Sequence, residues 1–265
     1  MIPFLSSSYL GIWMLIKRHI PKCVNSQLIL AQAADFFSMP IETVQASYQD
    51  YQSFYRSGNY RKTLGERNTL TYIESFLIYL AISTKKPQQV MEIGTSQGRS
   101  TRIINDILKA YNLYKPLVCF DIKDSLKFVL HNEVNLVITD ITGHVTESAL
   151  NVYQPDLIFL DAHPYHLLHS VISEFLEWSK SQQSLLIIHD CSSFFYSTRM
   201  MISKEDIQAI SNRTGVWERH VLSDIFKVPE KSVDKLQTET HMLRVFPTTY
   251  GLALLFSKGK TNPEL

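Results

Sequence analysis

Five short apolar segments of the sequence each end near a residue whose side chain can do chemistry. The segments cover residues 90–93, 117–120, 136–139, 157–160 and 185–188 and consist mainly of Val, Ile, Leu and Phe. Such runs, alternating with helical patterns, predict a parallel sheet covered on both faces, with ligands bound beyond the carboxyl ends of the strands. Carboxylates placed there accept hydrogen bonds or bind cations, and an imidazole takes up a proton near neutral pH. The residues expected at these ends are Glu92, Asp121, Asp140, Asp161, His163, His189 and Asp190.

Residues 89–101, with the sequence QVMEIGTSQGRST, are expected to organise this group. A turn of small residues from Gly94 to Gly98 follows the first apolar run, and helical periodicity begins at Arg99. Glycines let the backbone turn sharply, and the free amide groups in the first turn of a helix face an anion. The pattern therefore predicts a nucleotide-like cofactor. Ser96 stands where the G-x-G-x-x-G fingerprint of dinucleotide-binding proteins has its middle glycine.

The segment EIGTSQGRS resembles the first motif of class I S-adenosylmethionine (SAM)-dependent methyltransferases, most closely the catechol-type and related small-molecule O-methyltransferases. The resemblance covers about residues 70–258 and implies an α/β fold, with a doubly wound, mostly parallel seven-stranded sheet in the order 3-2-1-4-5-7-6. It also implies that the loop wraps the methionine part of SAM and that Ser100 helps to hold its carboxylate. A glycine turn in some other doubly wound domain is the alternative. The loop residues thereby assigned to the cofactor are Glu92, Gly94, Thr95, Ser96, Gly98 and Ser100.

Two aspartates are expected to bind the nucleoside part of the cofactor. Asp121 ends the second strand, where its carboxylate can accept two hydrogen bonds from a ribose diol. Its alternative role is to cap a helix that begins near Asp124. Asp140 ends the third strand, and the resemblance places that position beside adenine, although Asp140 could instead cap a turn before Gly143.

The resemblance also implies a divalent metal site. In Mg²⁺-dependent relatives an aspartate at the end of the fourth strand and an acidic pair, or an acidic residue with an amide, after the fifth strand hold the ion. Asp161 matches the first position, and His189 and Asp190 stand where the pair is expected. An imidazole in place of an oxygen ligand favours Mn²⁺, Fe²⁺, Co²⁺ or Zn²⁺ over Mg²⁺. The alternative is a metal-free site in which histidine acts as the base.

The acceptor hydroxyl must lose a proton, and three residues are the catalytic candidates. His163 is the first candidate for the base and His189 the second, with Asp161 beside them at the mouth of the crevice. His166 and His169 lie one helical turn apart among apolar residues, which favours ordinary partly buried histidines over metal ligands.

The elements that position these residues follow from periodicity and caps. Helices are predicted over residues 26–39, 41–56 and 69–83, and strand-like runs over residues 217–222 and 251–257. Tyr48, Tyr51, Phe54 and Tyr55 form an aromatic stripe, which predicts either core packing or a lid over the acceptor. Residues 1–68 are therefore predicted to be a helical N-terminal extension, and residues 69–265 to be the SAM-binding domain.

Composition narrows the class of protein. The 265 residues are 45% hydrophobic, and Lys+Arg 26 against Asp+Glu 25 gives a net charge of +1 with no long basic block, so nucleic acid is not an expected partner. Cys23, Cys119 and Cys191 are far apart and predict reduced thiols. Residues 4–18 are too short to span a bilayer but leave peripheral membrane contact open. A cytoplasmic protein is expected, with homo-oligomerisation left open.

The sequence therefore predicts a SAM-dependent methyltransferase that acts on a hydroxyl group of a small molecule. Three alternatives remain open. The first is a nicotinamide (NAD) oxidoreductase, against which Ser96 argues. The second is a metal-dependent hydroxylase on the same fold, and the third is a non-catalytic binding protein that keeps the fold.

Overall fold

The computed structural model describes residues 25–60, 70–113, 115–192 and 217–258. Seven helices lie in these ranges: α1 (Ser26–Phe37), α2 (Ile41–Ser57), α3 (Tyr72–Lys85), α4 (Arg99–Ala110), α5 (His144–Tyr153), α6 (Tyr165–Trp178) and α7 (Glu218–Phe226). Eight strands accompany them: β1 (Val90–Ile93), β2 (Leu117–Asp121), β3 (Val134–Ile138), β4 (Leu157–Leu160), β5 (Leu185–Ile188), β6 (Lys235–Gln237), β7 (His241–Phe246) and β8 (Leu252–Ser257).

The strands form one sheet in the order β3-β2-β1-β4-β5-β8-β7-β6. The first five strands of the chain run parallel, and β8 enters antiparallel between β5 and β7. This confirms the predicted α/β class, and the strand order largely matches the predicted one, with β7 in the place of the strand predicted over residues 217–222. The number of strands is corrected from seven to eight, because β6 adds a short edge strand. None of its three side chains is fully buried, and its sequence, KLQ, contains no apolar run that would predict a strand.

Residues 218–222 belong to helix α7, whereas a strand was predicted over residues 217–222. Val221 and Leu222 are buried together with Trp217, which caps α7 and lies about one turn before Val221. In a strand with one buried face, every second residue would be buried. Glu218 and Arg219 are adjacent and both are buried, which does not fit that alternation. The apolar period, taken over the whole of α7, is that of a helix.

The starts of two helices follow from their caps, and the second start differs from the predicted residue 69. Asn25 caps α1, which begins at Ser26 as predicted, since its side-chain oxygen accepts a hydrogen bond from Leu28 N at 3.1 Å. Helix α3 begins at Tyr72 because Thr71 and Glu74 form a capping box.

Neighbouring residues of each parallel strand face opposite sides of the sheet. Leu157 and Phe159 of β4 pack into one buried cluster, and Ile158 and Leu160 pack into the other. Tyr51 of α2 is fully buried in the first cluster, so the aromatic stripe of α2 belongs in part to the core. The division at residue 68 into an extension and a domain stays a prediction.

The strand register brings the predicted site residues to one edge of the sheet. Ile93 of β1 is opposite Phe120 of β2 and Leu160 of β4, and Leu160 is opposite Ile188 of β5. The residue that follows each of these four therefore lies at the same level. Those residues are Gly94, Asp121, Asp161 and His189.

Within the described ranges, no helix is long and apolar enough to cross a membrane. Cys119 and Cys191 are buried free thiols, as predicted. Cys23 and residues 4–18 lie outside the described residues.

Candidate active site

A cavity of about 370 Å³ opens at the carboxyl ends of the parallel strands. Its volume lies in the range of small-molecule sites, roughly 300–1,000 Å³. It extends from the glycine loop after β1 to the ends of β4 and β5. The sequence-predicted residues that line it are Gly94, Thr95, Ser96, Ser100, Asp121, Asp161, His163 and Asp190. Four others, Glu92, Gly98, Asp140 and His189, do not line it.

Two glycines fix the shape of this edge. Gly94 has φ +90°, and a Cβ placed on it would lie 2.2 Å from the carbonyl oxygen of Asp161. The loop after β1 and the end of β4 therefore touch through backbone atoms, and any side chain at residue 94 would force them apart. Gly251 holds the other end, since its carbonyl accepts a hydrogen bond from Cys191 N at 2.8 Å. That contact anchors the segment carrying Asp190.

Asp121 faces the cavity and is already held by the backbone. Ser96 N donates to Oδ2 at 2.7 Å, and Lys123 N donates to Oδ1 at 3.2 Å. Each carboxylate oxygen keeps a second lone pair, so the side chain is oriented and can still accept from a diol. Asp140 is exposed and does not line the cavity, whereas Thr139 and Ile141 beside it do. The predicted roles of both aspartates stay predictions.

Glu92 lies in the core beneath the glycine loop. It is fully buried, and Ser100 Oγ donates to its Oε1 at 2.6 Å while the Cys119 thiol approaches Oε2 at 3.6 Å. Burial raises the pKa of Glu92 to about 7, although the hydrogen bonds from Ser100 and Thr101 lower it. Any effect on a cofactor would therefore pass through Ser100, which lines the cavity.

Arg99 was missed by sequence reasoning and lines the same cavity. Its guanidinium lies 4.1 Å from the centre of the Phe128 ring. Its Nη1 is buried and has no hydrogen-bond partner among the described residues. The R in the motif GRS was the available signal, because a cation beside the start of a helix suits an anionic group.

Asp161, His189 and Asp190 form the one cluster of three potential metal ligands in the described part of the chain, and their ligand atoms all lie within 4.8 Å of one another. His189 Nδ1 is 3.2 Å from Asp161 Oδ1 and 3.4 Å from Asp190 Oδ1. Two carboxylate oxygens and one imidazole nitrogen at these separations suit a divalent transition ion. His166 and His169 are exposed and take no part.

His189 lies behind the two aspartates, outside the cavity lining. Its Nε2 is buried, without a hydrogen bond among the described residues, and 3.6 Å from Glu74 Oε2. Burial alone would lower the pKa of His189, but the charges of Asp190 and Asp161 outweigh it and raise the pKa well above its usual value. Being buried, His189 is poorly placed to reach an acceptor, and its predicted role as second base stays a prediction.

Glu74 holds this arrangement from behind. Thr71 N and Oγ1 donate to its Oε2, and Thr248 Oγ1 and Tyr250 N donate to its Oε1. Burial would raise the pKa of Glu74, yet the interactions with His189 and Thr248 bring it below the usual value. An ionised carboxylate on one side of His189 and two aspartates on the other make the region strongly acidic.

His163 is the imidazole that faces the cavity, with a side chain 46% exposed. Its Nδ1 is 3.1 Å from Glu218 Oε1, and its Nε2 is 3.8 Å from Asp190 Oδ2. The protein packed around the ring lowers the pKa of His163, but the hydrogen bond and the charges of Glu218 and Asp190 raise it to about 9. Glu218 was missed by sequence reasoning, because it follows Trp217 in the segment predicted as a strand.

The predicted lid over the acceptor is not seen in the described residues. Of residues 1–68, the structure describes 25–60, and none of these lines the cavity. The remaining residues of the predicted extension lie outside the described ranges. The lid therefore stays a prediction.

A family model described as a methyltransferase domain matches residues 91–191. The match begins in β1 and ends just after Asp190, so it covers the glycine loop, Asp121 and the whole cluster at β4 and β5. No curated protein matches the sequence.

Several solved structures are similar to this chain at low sequence identity. The cofactor-bound protein Rv0187 from MTB is 14% identical, with a TM-score of 0.50 and coverage of 94% of this chain and 97% of that one. The Bacillus cereus O-methyltransferase in complex with SAH is 14% identical, with a TM-score of 0.47 over 80% of this chain and 91% of that one. The SAH-bound methyltransferase of Podospora anserina is 10% identical, with a TM-score of 0.47 over 97% and 98% of the two chains.

Proposed function

We propose that this chain, whose residues 91–191 match a family model described as a methyltransferase domain, is a SAM-dependent methyltransferase that transfers a methyl group to a hydroxyl of a small molecule. One observation carries the proposal. A single cavity joins the glycine loop and Asp121 at one end to Asp161, His163 and Asp190 at the other. A cofactor bound over the loop would thus face a group of side chains able to deprotonate an acceptor.

Each part of the cofactor has a matching group in the cavity. The oriented carboxylate of Asp121 suits the two ribose hydroxyls. The Arg99 guanidinium, stacked on Phe128, suits the methionine carboxylate together with Ser100. The acidic side chains at β4 and β5 suit the positive sulfonium. A nicotinamide cofactor is disfavoured by Ser96, which stands where the dinucleotide fingerprint has its middle glycine.

The reaction asks little covalent chemistry of the protein. SAM supplies a methyl group already activated by its sulfonium. An acceptor oxygen forms a bond to this carbon as the carbon–sulfur bond breaks, the bonding electrons stay on sulfur, and the acceptor proton moves to a base. The chain must align the acceptor, exclude water and take that proton.

His163 is the proposed base. His163 and Asp190 both line the cavity, and the 3.8 Å distance from His163 Nε2 to Asp190 Oδ2 is too long for a hydrogen bond. An acceptor hydroxyl placed beside this pair, at about 2.8 Å from each atom, would be within hydrogen-bond reach of both. The pKa of about 9 in the free protein leaves the ring largely protonated at neutral pH, so transfer should accelerate as the pH rises towards that value.

Asp161, His189 and Asp190 are the residues that would hold a divalent cation. A cation there would lower the pKa of the acceptor hydroxyl and would favour its oxyanion. The mixed nitrogen and oxygen donors favour Mn²⁺, Fe²⁺, Co²⁺ or Zn²⁺ over Mg²⁺. The surplus of carboxylates around the two histidines also favours a bound cation.

Transfer of radiolabelled methyl from SAM to a panel of phenols, catechols and aliphatic alcohols tests the proposal. Assays contain Mg²⁺, Mn²⁺, Co²⁺ or Zn²⁺, or a chelator, and His163→Ala serves as the comparison. We expect transfer to a hydroxyl and a loss of roughly 10²–10⁴-fold in the variant. Transfer at the wild-type rate by His163→Ala would remove His163 from the mechanism. Products methylated only on nitrogen or carbon would contradict O-methylation.

A further inference from the structure

Glu218 is a buried acidic residue that the proposed chemistry does not yet use. It is 2% exposed at the start of α7, and only one of its oxygens has a hydrogen-bond partner among the described residues. Burying a carboxylate is costly unless it is paired. A residue kept there needs a reason, and the packing of α7, which rests on Trp217, Val221 and Leu222, does not provide one.

The partner of Glu218 is the histidine that faces the cavity. Glu218 Oε1 lies 3.1 Å from His163 Nδ1, whereas the other ring nitrogen of His163 lies 3.8 Å from Asp190 Oδ2. Only the first distance is a hydrogen bond. A carboxylate is an acceptor only, so the bond requires the proton of the ring to be on Nδ1.

Glu218 and His163 differ in how much of each side chain is exposed to solvent. The Glu218 side chain is 2% exposed, while that of His163 is 46% exposed. The fixed partner is thus the carboxylate, and the ring stands between it and the cavity. In the neutral ring, one nitrogen donates and the other keeps a lone pair. Occupying Nδ1–H leaves the lone pair on Nε2, the nitrogen near Asp190.

We propose that Glu218 is the positioning residue for His163: it holds the proton on Nδ1 and turns the Nε2 lone pair towards the cavity. This inference rests on the proposed function, in which His163 accepts the proton of the acceptor hydroxyl. Glu218 itself touches neither acceptor nor cofactor. Without it, the ring can rotate about its side-chain bonds and can carry its proton on either nitrogen.

The test reads the ring directly and needs no acceptor. The NMR spectrum of protein with ¹⁵N-labelled histidine is recorded at a single pH at which the His163 ring is neutral, and the His163 signals are assigned from their loss in His163→Gln. In the wild type we expect the neutral ring to carry its proton on Nδ1. In Glu218→Ala we expect the proton to shift to Nε2, the form favoured in water. Glu218→Gln keeps an acceptor oxygen at the same place and should retain Nδ1–H.

The chain offers a matched control two residues further along α7. His220 Nδ1 pairs with Glu230 Oε1 at 2.9 Å, outside the cavity lining. Glu230→Ala removes a carboxylate from a histidine in the same way and should leave the His163 signals unchanged. Thermal melting checks that each variant folds. If Glu218→Ala does not fold, the tautomer of His163 in Glu218→Gln decides the test.

Two spectra would overturn the inference. One is a wild-type His163 that carries its proton on Nε2 in the neutral form. The other is a tautomer of His163 that stays the same in Glu218→Ala, or that Glu218→Gln loses. Once an acceptor is known, Glu218→Ala should lower kcat roughly tenfold to a hundredfold with KM little changed, and should lower it no further in a His163→Ala background. Absence of any methyl transfer by the wild type would reject the proposed function and leave the NMR result standing.

Discussion

The replacement Glu92→Gln should stabilise the protein at alkaline pH, and the size of the effect follows from the burial of this side chain. Glu92 is fully buried, and its pKa is raised from 4.5 to about 7. One unit of pKa corresponds to about 1.4 kcal/mol, so the ionised side chain costs the fold up to about 3 kcal/mol. Gln has nearly the same shape, cannot ionise, and still offers an oxygen to the Ser100 hydroxyl.

The sign of the pH dependence follows from the raised pKa. The folded state holds the proton of Glu92 more tightly than the unfolded chain does, so this contribution to stability is complete below about pH 4.5 and is lost as the pH rises through about 7. Glu92→Gln cannot ionise and therefore does not lose this stability as the pH rises. At pH about 8 it should be more stable than the wild type by about 3 kcal/mol, and at pH about 5 the difference should be below about 1 kcal/mol.

Urea unfolding followed by tryptophan fluorescence at both pH values measures these differences. Glu177→Gln makes the same chemical change on a side chain that is 72% exposed, and it should alter stability by less than about 0.5 kcal/mol at either pH. SAM affinity should change little in Glu92→Gln, because the carboxylate lies outside the cavity. A variant that is less stable than the wild type at pH about 8, or equally stable at both pH values, would refute the reasoning.

Three further changes test the cavity. Arg99→Ala should weaken SAM binding by about 2 kcal/mol, roughly 30-fold, but should not weaken binding of methylthioadenosine, which lacks the carboxylate. Arg102→Ala, which breaks a partly buried ion pair with Asp106, should leave the binding of both ligands unchanged, and calorimetry compares the two variants. Gly94→Ala should abolish SAM binding and lower the melting temperature, because its Cβ would lie 2.2 Å from a backbone oxygen. Asp190→Asn should weaken Mn²⁺ binding at least about tenfold in a direct metal titration, and unchanged binding would exclude Asp190 as a ligand.

The parallel half of the sheet was predictable because strands that are buried on both faces have a recognisable sequence pattern. Strands β1, β4 and β5 have the predicted bounds, since each is a continuous run of buried apolar residues between polar ones. Strand β3 begins two residues earlier than predicted, because Val134 and Asn135 pair with Leu117 and Val118 although only the first of the two is buried. Edge strands carry a weaker pattern than central ones.

The contacts behind the site were not predictable, because they join distant parts of the chain. His163 and Glu218 are 55 residues apart. Glu74 lies on helix α3, far along the chain from His189, which follows β5. No local pattern shows which buried carboxylate faces which imidazole. The residues at the strand ends were predictable from the sequence, since the register of parallel strands brings these ends to one edge of the sheet. The side chains that hydrogen-bond to them depend on how the helices pack, which the sequence does not show.

Calorimetric titration of the purified chain with SAM and, separately, with NAD⁺ tests the central claim most directly. We expect saturable binding of SAM with a micromolar Kd, no comparable binding of NAD⁺, and a loss of SAM affinity in Asp121→Ala, which removes a side chain that lines the same cavity. Absence of SAM binding, or binding that Asp121→Ala leaves unchanged, would contradict it.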